Sequence, residues 1–142
     1  MSPFWRTWLI VWATSVIVFG FVIAGGAFDA TSSPIRLIYE SLQGPAPFTF
    51  DAPTRFSQGV LGAVTIGWGV TVLLMLPAVI DLGEKGRTFW IAIAAGLAAW
   101  FVIDSALSIA TGFGLNVIAN TALAVGFLIP MLATGTLKRS AA

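Results

Sequence analysis

Four long apolar stretches, set apart by short polar punctuation, dominate the pattern along this chain. They cover about residues 4–26, 54–80, 88–111 and 116–136. Each reaches the roughly 20 residues a helix needs to cross a hydrocarbon core about 30 Å thick. The second is the longest, roughly 40 Å as a helix, and is expected to tilt or to project beyond the core. The first follows Arg6 and ends in Ala24-Gly25-Gly26-Ala27, in the manner of a cleaved signal. Its apolar run exceeds the about 7–15 residues of a signal core, so it reads as a retained span.

The connections differ in kind. Gly83-Glu84-Lys85-Gly86 is a tight polar turn, and Gly112-Phe113-Gly114-Leu115 is an uncharged one that makes the third and fourth spans a helical hairpin. The first loop, about residues 27–53, is longer than the roughly 12–15 residues usual for a structureless connection. Within it, Ser33-Pro34 reads as an N-cap followed by Pro at the first helical position. Ile35, Leu37, Ile38 and Leu42 supply an apolar face, Arg36 and Glu40 sit at i,i+4, and Gly44 closes the segment. The pattern predicts a short amphipathic helix over about residues 34–43, on the membrane surface or capping the bundle. The fold class expected is all-α: a four-helix transmembrane bundle in one domain.

Composition sets the solvent. Hydrophobic residues make up 58% of the chain and charged residues 9%, with mean hydropathy +0.95. Soluble domains carry about 25% charged residues, so the medium around this bundle is the lipid bilayer. The net charge is +1 and the seven Lys and Arg are scattered; nucleic acid is not an expected partner, because phosphate binding needs clustered cations. The chain has no Cys and no His, which removes thiolate chemistry, Cys-based zinc sites and the usual haem ligand. Lys85 and Lys138 lie in polar segments, away from any retinal-like position. No cofactor and no metal are expected. With no His base, no paired carboxylates and no Gly-rich phosphate loop, an enzyme is not expected either.

Charge also predicts orientation. With the N-terminus inside, Arg6, Lys85, Arg87, Lys138 and Arg139 face the cytoplasm, and Arg36 and Arg55 face outward. That balance favours cytoplasmic termini. Trp5, Trp8 and Trp12, with Phe89 and Trp90, would mark the cytoplasmic interface belt. The six Trp in all would offer a lipid-facing surface for a partner.

Steps of four along the second span connect Arg55, Gly59, Ala63, Gly67 and Thr71. Along the third they connect Ala92, Gly96, Trp100, Asp104 and Ser108, and along the fourth Asn116, Asn120, Ala124 and Leu128. Small residues at this spacing let helix backbones approach, so Gly59, Ala63, Gly67, Ala92 and Gly96 are the expected packing positions. Pro77 and Pro130, near the cytoplasmic ends of their spans, predict kinks. Asp104 is the one ionisable side chain deep within a span, and such a residue needs a partner or a wet cavity. Arg55 is the expected partner, with Ser108, Asn116 and Asn120 completing a polar cluster. Two readings stay open for it: an ion-pair lock between helices, or a ligand or ion site.

Thr54-Arg55-Phe56 followed by Gly59 and Gly62, together with Asp104-Ser105-Ala106-Leu107-Ser108 and Gly112, resembles the small four-span inner-membrane proteins common in bacteria. The resemblance implies a multi-pass inner-membrane location and brings no activity with it. The function expected is that of a non-enzymatic accessory or packing subunit, partnered by lipid and by other membrane subunits or itself. The alternative is a small-molecule or ion carrier using the Asp104 site.

Overall fold

The computed structural model describes residues 1–43 and 49–137. Gly44, expected to close the loop helix, and Lys138 and Arg139, counted among the cytoplasmic cations, lie outside these residues. Five α-helices succeed one another: α1 (Pro3–Ala24), α2 (Ser33–Gln43), α3 (Ala52–Asp81), α4 (Arg87–Ala110) and α5 (Asn116–Ala133). All except α2 are long and apolar enough to cross a membrane.

Local chemistry fixes the ends. Ser2 accepts the Trp5 N–H at 3.5 Å and Pro3 opens α1, where an N–H would have no partner. Asp51 caps α3 by accepting the Thr54 N–H at 3.0 Å. The bond from the Thr54 hydroxyl and that from its N–H hold the Asp51 carboxyl below its ordinary range. At 30 residues, α3 is about 45 Å long, longer at both ends than the expected 54–80. Helix α2 begins at Ser33 itself. Ser32 stands before it, its carbonyl accepting the Arg36 N–H at 3.0 Å and its hydroxyl turned back onto the Asp29 carbonyl at 3.1 Å.

The α4–α5 turn is a Schellman closure. The Phe113 N–H reaches the Ser108 carbonyl at 2.8 Å and the Gly112 N–H reaches that of Ile109 at 3.2 Å. Gly112 takes φ +87°, a conformation costly for any residue with a Cβ. The same pattern at Gly135 ends α5 at Ala133 instead of the expected 136.

The helix pairing differs from the one the step-of-four ladders predicted. The closest pair is α1 with α3. A Cβ on Gly62 would lie 2.4 Å from the Ala24 nitrogen, and one on Gly20 would lie 2.9 Å from the Ile66 nitrogen, so the two backbones touch. The seam of α3 runs through Gln58, Gly62, Gly69, Val72, Leu76 and Val79, a spacing of threes, fours and a seven. A strict step of four drifts about 40° per step around a helix of 3.6 residues per turn. Ala63 and Gly67 are therefore exposed, Gly67 having nothing within 4 Å of a Cβ, and Gly59 only touches Ala27 at 3.6 Å. The same drift leaves Ala92 and Gly96 exposed on α4 and brings the ladder onto the α4–α5 seam only near Asp104 and Ser108.

The core sits toward the end of the bundle where α1 begins and α5 ends. Leu9, Trp12, Ala13 and Val16 of α1 meet Val72, Leu76 and Val79 of α3, Trp90 and Leu97 of α4, and Phe127 and Met131 of α5. Four of the six tryptophans belong to the core, so the lipid-facing surface expected of all six is reduced to the N-terminal end of α1, where Trp8 is 39% exposed. Trp90 is 1% exposed and Trp12 7%, and Trp68 and Trp100 pack against the same cluster. Trp12 stacks edge-on to Trp68 and lies against Phe127.

Two indoles tie α1 to α5. Trp8 Nε1 donates to the Gly126 carbonyl at 2.7 Å and Trp12 Nε1 to that of Leu123 at 2.9 Å. Pro130 lacks the N–H that would have closed a helical bond to Gly126, and Trp8 supplies the missing donor from the neighbouring helix. Trp8→Phe should therefore cost about 1 kcal/mol of stability, as a transmembrane hydrogen bond does. In a Pro130→Ala background, where α5 can satisfy its own carbonyl, the same change should cost less. Denaturant titration of all four species in mixed micelles checks the difference.

At the other end of the bundle a small second cluster seats α2. Ile35 is buried against Ile23 of α1 and Phe50, with Ile38 and Tyr39 packed beside it. Leu37, expected on the apolar face, is 64% exposed.

Candidate functional site

Two polar centres stand toward the end of the bundle that carries α2. The first joins α4 and α5. Asp104 lies six residues before the end of α4, about 9 Å along the helix. Asn116 and Asn120 project from the first turns of α5, one turn apart. Asn116 Nδ2 donates to Asp104 Oδ2 and to Ser108 Oγ, each at 3.0 Å. Asn120 Nδ2 donates to the same Asp104 oxygen and to Ser105 Oγ, the latter at 3.2 Å. Ser105, Ser108 and Asn120 are buried, and Asp104 and Asn116 are half-buried. Because a carboxylate only accepts, it fixes both amides with their nitrogens toward it.

Arg55 is not part of this centre. Its guanidinium pairs with Asp29, in the turn after α1, through Nη2. The expected Asp104–Arg55 pair is therefore not made, and the reason is the helix pairing. Helix α3 lies against α1, so Arg55 at its start meets the turn at the end of α1. The second centre grows around it. Arg55 and Arg36 both lie over the Phe50 ring, at 5.9 and 4.5 Å from its centroid. One turn on from Arg55, Gln58 Nε2 donates to the Tyr39 hydroxyl at 2.6 Å, which ties α2 to α3. Tyr39 also meets Phe113 of the α4–α5 turn edge-on at 5.7 Å. Among the described residues, Arg55 Nη1 and Gln58 Oε1 are buried without hydrogen-bond partners.

Of the sequence-predicted cluster, Asp104, Ser108, Asn116 and Asn120 come together and Arg55 stands apart. Ser105 joins through Asn120. The members of the second centre that pattern reading passed over are Asp29, Tyr39 and Gln58. Gln58 carried a usable signal, being an amide one turn from Arg55 on the face that also holds Gly62. Asp29 carried none, since its role depends on which helix α1 pairs with.

Burial raises the Tyr39 pKa above its ordinary 10.0, with the Gln58 hydrogen bond opposing the shift. A tyrosine raised by burial favours the folded state fully below pH 10 and loses that contribution as pH climbs through the raised value. Tyr39 is the chain's single tyrosine, so phenolate absorbance reports on it alone. The midpoint should lie above that of the unfolded chain, and α2 should loosen as it is passed.

The chemistry available at Asp104 is that of a carboxylate acceptor in an apolar medium. Insertion scales put such a group near mid-span at about 2.5–3.5 kcal/mol unfavourable. The amides offset part of this through one oxygen. Asp104 Oδ1 has no hydrogen bond, and no cation pairs with the carboxylate among the described residues. No three His, Cys, Asp or Glu side chains gather into a metal-binding group among those residues. No protein-family model, curated protein or solved structure matches this chain.

Proposed function

We propose that the chain is a non-enzymatic subunit packed side-on within a larger inner-membrane assembly. One observation carries the reading. The main apolar core fills the half of the bundle where α1 begins and α5 ends; in the other half a small apolar cluster seats α2 against α1, and among their described residues α4 and α5 bury only polar side chains there: Ser105, Ser108 and Asn120. A free-standing bundle gains most of its stability from close packing along the full length of its helices. Here half of one hairpin is left for a neighbour to cover.

Cytoplasmic termini and a bacterial inner-membrane setting belong to this reading, with α2 lying on the outer surface. A reporter fused after Ala142 should then be cytoplasmic and one inserted at Gly44 external; the reverse pattern would invert the bundle. The second reading, a carrier for an ion or small molecule, draws on the half-buried Asp104 with its unbonded oxygen. The two are separated by extracting the tagged chain from its native membrane in mild detergent and weighing it by native mass spectrometry. A complex of fixed stoichiometry with other membrane subunits is expected. A free monomer whose vesicle flux depends on Asp104 would overturn the subunit reading in favour of the carrier.

A further inference from the structure

We propose that the uncovered flank of α4 beside Asp104 receives a transmembrane helix of a partner protein bearing one Lys or Arg level with that carboxylate. The inference rests on the subunit reading and names the partner's chemistry. Gly96, Trp100, Ile103 and Leu107 succeed one another at spacings of four, three and four, the repeat of a helix-packing seam. They lie on the flank of α4 next to Asp104 and away from Ser105, which faces α5 through Asn120. Ile103 and Leu107 are 60% and 59% exposed, and Gly96 has open space where its Cβ would be. Trp100 reaches partly into the core, whereas Gly96, Ile103 and Leu107 are left uncovered by the chain's own helices, and a glycine at one end allows close backbone approach.

Charge selects the occupant. Arg55 is committed to Asp29. Asp104 Oδ2 takes both amide donors, and Oδ1 has no hydrogen bond among the described residues. A bare metal ion would find amide N–H groups turned toward the carboxylate and serine oxygens already accepting from those amides. Too few free oxygens remain for the six or so that a hard cation takes. An ammonium or guanidinium needs only the one free acceptor and donates straight to it. Asp104 lies about 9 Å along α4 from its end; with that end at the membrane surface, as the subunit reading has it, the carboxylate is below the level of lipid headgroup amines. The cation must therefore arrive on an apolar helix.

The test uses the full chain, which lacks Cys, labelled with a donor dye at Ala142→Cys in lipid vesicles. Acceptor-labelled Leu-Ala transmembrane peptides carry either one Lys about six residues from the end or Leu there. Energy transfer should show the Lys peptide binding roughly tenfold more tightly, in line with interhelical polar contacts in model peptides. Asp104→Asn should abolish the preference and Asp104→Glu retain it, with helicity checked in each. Equal binding of the two peptides to the wild-type chain overturns the proposal. So does sodium-dependent thermal stabilisation that requires Asp104 without any Lys preference, which would mark a bare-cation site. A native complex that survives Asp104→Asn unchanged would also overturn it while leaving the subunit reading intact.

Discussion

Gly62→Val is expected to break the α1–α3 pair and to be the most damaging single substitution in the spans. Even the first added carbon would lie 2.4 Å from the Ala24 nitrogen and 2.6 Å from its Cα. These are backbone atoms of a packed helix, which cannot swing aside as a side-chain tip can. Relief requires the helices to separate, and separation pulls Gly20 away from Ile66 and Val16 away from Gly69. Overpacking of a tight core costs about 1–3 kcal/mol and sometimes more; this site belongs at the upper end. Gly67→Val is the control, because a Cβ there meets nothing within 4 Å. Trp fluorescence during denaturant titration should show a large loss for the first variant and little change for the second. Equal tolerance of both would mean that the two helices do not approach as closely as described.

Asn120→Leu should be the next most costly change. Asn120 is 5% exposed and its amide bonds both Asp104 and Ser105. Leucine keeps the branched, four-atom shape of asparagine without its donors, so the loss falls mainly on the hydrogen bonds. A bond to a charged group contributes about 1.5–3 kcal/mol, and removing it leaves an acceptor unsatisfied. Asn116→Leu should cost less, since Asn116 is half-buried and water or headgroups can replace it. The cost at Asn120 should shrink sharply in an Asp104→Leu background, where no carboxylate waits for the donor. A full-sized loss in that background would place the amide's role elsewhere.

The number and approximate extent of the apolar spans could be read from the residues, because lipid enforces a length and a composition. The α4–α5 polar centre was legible for a related reason. A carboxylate deep in a span must be met by donors, and Asn116 and Asn120 stand just across a short turn. Pairing was not legible. The step of four ran through Gly59, Ala63 and Gly67, whereas the glycines that meet α1 are Gly62 and Gly69, and only the neighbour's position separates the two sets. The misplacement of Arg55 has the same origin, since its partner depends on α3 lying against α1 and not against α4. Tryptophan misled in the same way: its amphipathic ring suits a membrane interface, but Trp8 and Trp12 also answer α5 carbonyls, one of them orphaned by Pro130.

Those two indole bonds join residues 118 and 111 positions apart, and they set a timetable for insertion. Helix α1 enters the membrane first and can pair with α3 as soon as α3 has been made, since Gly20 and Gly62 are 42 positions apart (62 − 20), well short of the span of the indole bonds. The terminal-end core stays open on one side until Phe127 and Met131 arrive with the last helix. During that interval Trp12 faces lipid or an insertion factor with its N–H unanswered. A chain stopped before α5 should hold the α1–α3 pair and show a Trp12 environment unlike that of the finished protein. Completion of this fold is thus an event of the 18 residues of the last helix, in the manner of long-range contacts that form late.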